Sequence, residues 1–311
     1  MPTLKTIQEI SQNGLLWVNV TKQGEKELAE IRKRFQFADQ DIKESLPPFQ
    51  RAKIVKRPDY YFMVLHFPVF DRETRRLGFT EVDFFLNQNV LVTAHSNQLT
   101  VVDNLFAECK KQESIRGEYF SGTAVHILFE LLSRLLDGIF PILMHVNDDI
   151  NNVDKKLFRA TPGREMAEEI LRLKTNVVTF RRTMQGHRTV LERLIMYSGR
   201  ELDLGSYQSY INSIREFTNE IWHMLESQKE SIEALHETNE SLVSLRTNEI
   251  MKTLTIISVI TFPLTLFVAW VDVTANGNFF EMIPGGFGVI TALMIAGGIY
   301  MIYYFKKKNW M

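Results

Sequence analysis

Between residues 248 and 272, oxygen-bearing and apolar side chains recur every three to four positions: Asn248, Met251, Thr255 (or Leu254), Ser258, Phe262, Thr265, Ala269 and Asp272. That spacing places them on one face of a helix. If several such helices surround an axis, each residue becomes a ring. Rings of Asn248, Ser258 and Thr265 would offer neutral oxygens to a hydrated ion, while Met251 and Phe262 would narrow the path and could close it by dewetting. Magnesium dehydrates reluctantly and usually keeps several waters, so neutral rings that coordinate through water suit it. The competing reading is that the Thr and Ser hydroxyls bond back to their own helix carbonyls. Phe262 could instead face a neighbouring helix, with the path-facing reading favoured.

Asp272 continues the stripe and would form a ring of carboxylates at the outer mouth, able to bind a metal cation directly. Like charges so close together raise some of their pKa values. Its plain alternative is a helix end at the water boundary. Glu281 would attract cations electrostatically or serve as a solvated loop charge. Asn276 and Asn278 flank Gly277, and Asn-Gly favours a turn ahead of ion contact.

These residues need a helix that crosses a membrane. Residues 1–247 carry 66 of the 73 Asp, Glu, Lys and Arg residues, and from Thr253 to Phe305 only Asp272 and Glu281 are charged. Residues 250–271 and 287–305 are each long and apolar enough to span, joined by a loop over 272–286. Arg246 and Lys252 precede the first span, Lys306-Lys307-Lys308 follow the second, and the loop has neither Lys nor Arg. The positive-inside rule predicts an inner-membrane protein with both termini in the cytoplasm. Trp270 and Trp310 sit where interfacial rings are favoured. The opening MPTLKTIQEI has no apolar core and is not read as a signal peptide.

Other function classes find little support. A net charge of −1 with 45% hydrophobic residues excludes a disordered chain and gives no hint of nucleic-acid binding. One cysteine, Cys109, excludes an internal disulfide. None of the seven His residues has a His or Cys at i+4, and no Walker A, Gly-x-Ser-x-Gly or Gly-x-Gly-x-x-Gly pattern occurs, so an enzyme is not expected. No cofactor is expected beyond a transported cation, and any flux would be passive or coupled to another ion gradient.

Upstream, residues 1–115 read as an α/β domain, with strands over Leu15–Val20, Ala52–Val55, Tyr60–Val69, Glu81–Leu86 and Val90–Ala94 and short helices over Lys26–Phe35 and Asp39–Ser45. Residues 116–205 read as helical, with an antiparallel hairpin of Ile139–Phe158 and Arg164–Met196 broken at Thr161-Pro162-Gly163. Its acidic Asn147-Asp148-Asp149 stretch with Asp154 suggests a solvated face with i,i+4 pairs, or else a metal sensor. Residues 206–249 begin a stalk helix that runs into the membrane, about 65 residues and roughly 95 Å in all. Ile211, Ile214, Phe217, Ile221, Met224 or Leu225, Gln228, Ile232, Leu235, Leu242 and Leu245 form an approximate heptad stripe. Packing against copies of itself would cover it.

The segment Asn248-Glu249-Ile250-Met251-Lys252-Thr253-Leu254-Thr255-Ile256-Ile257, with Phe262-Pro263-Leu264-Thr265, resembles the first transmembrane helix of the CorA family of divalent-cation transporters. The tail Tyr303-Tyr304-Phe305-Lys306-Lys307-Lys308-Asn309-Trp310 is similar to the end of that family. So are Glu81-Val82-Asp83-Phe84-Phe85-Leu86 and Val90-Leu91-Val92-Thr93-Ala94-His95. The resemblance implies an α+β cytoplasmic domain, a helical hairpin, a long stalk and pore helix and a two-helix membrane hairpin. It also implies a homopentamer in a lipid bilayer whose first spans line a pore for Mg²⁺, Co²⁺, Ni²⁺ or, in one branch, Zn²⁺. Where the family has Gly-Met-Asn (or Gly-Val-Asn), an ungapped count gives Asp272-Val273-Thr274 here and a gapped one Asn276-Gly277-Asn278-Phe279, neither of which reads Gly-x-Asn. Where it often has Asp-Val-Tyr-Asp, the ungapped match here is Ser213-Ile214-Arg215-Glu216 and a shifted one starts at Ser209, both lacking the first carboxylate. The altered signature leaves open a CorA-fold scaffold or metal sensor without selective conduction, or an efflux protein.

Overall fold

A computed structural model describes residues 6–96, 98–157, 163–198, 202, 204–274 and 286–308, without the side chains at 197, 198, 272, 274, 286 and 287. The chain divides into two units, Met1–His236 and Glu237–Met311.

The first unit is built on one six-stranded sheet. Its strands are β1 (Ile7–Gln12), β2 (Leu15–Val20), β3 (Lys53–Lys56), β4 (Tyr61–Asp71), β5 (Arg76–Leu86) and β6 (Val90–His95), in the order β1-β2-β6-β5-β4-β3. Only β2 and β6 run parallel. Asn13-Gly14 closes the first hairpin with positive φ at both residues, a geometry Asn and Gly accept at low cost. Helices α1 (Glu25–Phe35) and α2 (Asp39–Glu44) cover one face through Leu28, Ile31 and Ile42, packed with Val18, Phe62, Phe85 and Val92. Against the other face lie α3 (Thr100–Lys111), α5 (Ala124–Asp137) and α7 (Arg164–Ser198), with α4 (Glu113–Tyr119) between α3 and α5 in sequence. Trp17 meets Phe106 of α3 edge to face at 5.0 Å. Phe67 meets His187 of α7 in the same way, also at 5.0 Å. Burial pushes the His187 imidazole down to about 4, so at neutral pH it is uncharged and its Nε2–H donates to the His66 carbonyl.

Helix α6 (Phe140–Leu157) and α7 form the expected hairpin. After a 3₁₀ turn over Leu204–Tyr207, α8 runs from Gln208 to Thr274, 67 residues without interruption. Its heptad stripe corrects one expectation. In the first unit Ile211, Ile214, Ile221, Leu225, Ile232 and Leu235 are already buried within the chain. Gln228 donates to the Leu143 carbonyl (2.8 Å) and Phe217 packs on Phe140. This part of the stripe is therefore covered by the chain's own α6 and its neighbours, with no second copy needed.

Two closely packed positions generate tests. A methyl at Gly186 of α7 would stand 2.3 Å from the Ala52 Cβ, which is fixed to the backbone and cannot swing aside. Gly186→Ala should cost about 1–3 kcal/mol despite alanine's helix propensity, and adding Ala52→Gly should restore much of it, read by thermal unfolding. Asp83 is fully buried, and its Oδ1 has no hydrogen-bond partner among the described residues. Burial, with the nearby Glu81 charge, pushes its carboxyl well above the usual range, and the Gln23 amide (3.0 Å to Oδ2) only partly opposes this. A carboxyl raised on folding stabilises below its unfolded pKa, and that stability is lost as pH rises through the folded value. Asp83→Asn should therefore melt higher than wild type near neutral pH, and the gap should shrink as pH falls toward the unfolded carboxyl range.

Candidate ion path

The second unit holds the apolar half of α8 and the last helix, α9 (Gly286–Lys307). Both are long and apolar enough to cross a membrane: their most apolar stretches have mean hydropathies of 2.2 and 1.7 and are only 11% and 6% buried. A soluble core helix would be mostly covered, so the exposure favours lipid or further helices as surroundings.

Along the apolar half of α8, from Asn248 on, the least exposed residues are Ile256, Ile260, Leu264, Val268 and Val271, and along α9 they are Ile290, Met294, Gly297, Gly298, Met301 and Phe305. The Leu264 side chain lies over Gly297 and Gly298, where an added Cβ would be 3.6 and 3.9 Å from it. Small residues of this kind let membrane helices approach closely.

Asn248, Met251, Thr255, Ser258, Phe262, Thr265 and Ala269 are all exposed, Phe262 at 78%. At about 100° per residue, their stripe is centred about 160° around α8 from the face carrying Leu264. These seven residues share a face that α9 leaves open. Leu254, weighed as an alternative to Thr255, is exposed too.

The hydroxyl alternative is realised geometrically. Thr255 donates to the Met251 carbonyl (2.7 Å) and Thr265 to the Thr261 carbonyl (2.9 Å). This does not exclude contact with an aqueous path. A hydroxyl has one proton and two acceptor lone pairs, so a proton given to the helix leaves the oxygen as an acceptor. Pro263 lies inside α8 and has no N–H, so the Val259 carbonyl lacks its usual helical donor. Asp272 falls within the helix, but its side chain lies outside the described set, as do Asn276, Asn278 and Glu281 entirely.

The acidic stretch of α6 proves to be an ion-pair centre. The Asp149 carboxylate accepts from Arg75 (3.1 Å) and Arg172 (2.9 Å), and Arg75 also pairs with Glu169 (2.9 Å). Arg172 and Asn176 donate to the Arg75 carbonyl as well (3.0 and 2.9 Å). Asp148 and Asp154 stay exposed. Among the described residues, no group of three or more His, Cys, Asp or Glu is placed to hold a metal. The sequence signals for this centre, Arg75 and Arg172, lie nearly 100 positions apart, beyond the reach of i,i+4 reasoning.

Comparison with known proteins agrees with this layout. The family described as CorA-like Mg²⁺ transporter protein matches residues 12–307. The chain is similar to the cobalt/magnesium transport protein CorA of Thermotoga maritima, at 27% identity over 301 residues, covering 95% of this chain and 83% of that one. It is similar to the corresponding protein of Methanocaldococcus jannaschii, at 23% identity over 307 residues, covering 96% and 92%. In fold it is similar to the complete structure of the CorA magnesium transporter from Methanocaldococcus jannaschii, with a TM-score of 0.79 and 21% identity, covering 98% and 94%. With the family pattern spanning the sheet, the hairpin, the long helix and both apolar helices, the chain belongs to the CorA-like Mg²⁺ transporter family.

Proposed function

We propose that this CorA-family divalent-cation transporter assembles as a homopentamer in the inner membrane. Five copies of α8 would enclose one path lined by Asn248, Met251, Thr255, Ser258, Phe262, Thr265 and Ala269. The carried ion is Mg²⁺, with Co²⁺, Ni²⁺ and Zn²⁺ as further candidates; two relatives bear the name cobalt/magnesium transport protein. The observation that carries the reading is the position of the stripe, on the side of α8 that α9 does not cover. Polar atoms there need water or protein around them, and a shared aqueous axis supplies water.

The distribution of Lys and Arg supports both termini in the cytoplasm. An inside-negative potential then drives entry: a divalent ion gains roughly 4.6 kcal/mol per 100 mV, twice the figure for one charge. Asp272, Asn276, Asn278 and Glu281 belong to the outer mouth in this reading, with Asp272 as the direct cation ligand. The hydrated ion would meet acceptor oxygens at Thr255 and Thr265, to which first-shell waters can donate.

Proteoliposomes holding the purified chain, with inside-negative potential and no ATP, should take up Mg²⁺ and Co²⁺. Replacing Thr255 and Thr265 together by Val removes two rings of acceptors and should slow uptake about tenfold or more, since each lost hydrogen bond is worth about 0.5–1.5 kcal/mol. Phe262→Ala should raise the rate several-fold by widening the apolar constriction. Asp272→Asn should change the order of preference among Mg²⁺, Co²⁺, Ni²⁺ and Zn²⁺ and flatten the dependence of uptake on pH. An unchanged ion order and pH profile would assign Asp272 to ending the helix. A vesicle-inserted protein that carries none of the four ions would overturn the transport reading.

A further inference from the structure

In the first unit, a cleft of about 910 Å³ opens between the end of β4, the turn after it, the start of α3 and the corner joining α5 to α6. Clefts of that volume are typical of sites for small ligands. Its walls are apolar, formed by Phe70, Leu99, Ile139 and Ile142 among others, with Arg72 and His145 at the rim. The His145 ring stands edge-on to Phe70, centroids 4.7 Å apart, so the imidazole is held at the rim by the wall itself.

Charge decides what would fit. None of the lining residues is Asp or Glu. Arg75 also borders the cleft, but its guanidinium is committed to Asp149 and Glu169. Arg72 is exposed and forms no ion pair among the described residues. A neutral apolar ligand would leave that cation unused, and an inorganic anion would leave the walls wet. An apolar body carrying one anionic group satisfies both, because a charge-assisted bond to Arg adds orientation to the burial of the body.

We infer that this cleft binds a small amphipathic organic anion, an aryl or alkyl phosphate or carboxylate, with its body against Phe70 and Ile139 and its charge at Arg72. Such a ligand spans the β4–β5 turn and α6, the same two parts that the Asp149 ion pairs join. The inference is independent of the ion path.

The test uses the full chain in phosphatidylcholine nanodiscs, titrated with 1-naphthyl phosphate and followed by the anisotropy of its own fluorescence against empty discs. Inorganic phosphate and the neutral 1-naphthyl glucoside serve as competitors. Saturation at one probe per chain is expected, with Arg72→Gln weakening it at least tenfold and Arg72→Glu abolishing it. Either competitor should need at least tenfold higher concentration than the probe. Absence of saturable binding, unchanged binding in Arg72→Gln, or a glucoside that competes as well as the phosphate would each overturn the inference.

Discussion

Polar side chains on a membrane helix have few places to go. Hydrocarbon offers no hydrogen-bond partners, so oxygens must turn inward to the helix, toward another protein segment or toward water. In this chain α9 takes the apolar face of α8, with Leu264 seated over Gly297 and Gly298. The face bearing Asn248, Thr255, Ser258 and Thr265 is left without cover inside one copy. That arrangement accounts for the exposure of large side chains such as Phe262 and Met251, which would be unusual on a finished soluble surface.

The first unit solves a different problem, the burial of charge in a sheet and the helices packed on it. At Asp149 the solution is pairing with Arg75 and Arg172, and Arg172 and Asn176 also donate to the Arg75 carbonyl, fixing the β4–β5 turn to the helical hairpin. At Glu81 it is hydrogen bonding, to the Gln50 N–H (2.7 Å) and the His66 ring (3.3 Å). At Asp83 the compensation is incomplete, and the carboxyl is driven toward its neutral form. Three acids in one unit thus occupy three states, set by what surrounds each.

Much of the architecture was legible in the sequence because its signals are local. The long helix, the Arg164 start of α7 and the strand Leu15–Val20 follow from short-range patterns of apolar residues and breakers. β1 was missed, although Asn13-Gly14 was a hairpin signal within reach. Helices α3 and α4 were missed: no element was assigned between Ala94 and residue 116. Strand order, and the use of the stalk's heptad stripe inside the chain, depend on contacts between distant segments that no local window contains. For the path itself, periodicity gave the shared face of Asn248 to Ala269, whereas its relation to α9 needed coordinates. The direction of the hydroxyl protons is a matter of rotamer, and sequence leaves it open.

In the proposed path, the two threonines also bear on the sign of the ion that would pass them. Each has spent its single proton on a carbonyl one turn below, at 2.7 and 2.9 Å. What Thr255 and Thr265 turn outward is lone-pair density alone. In that path a chloride ion would find no donor in these two hydroxyls, whereas an aquated metal arrives ringed with hydrogens. Such a surface can reject anions with no formal charge on either residue.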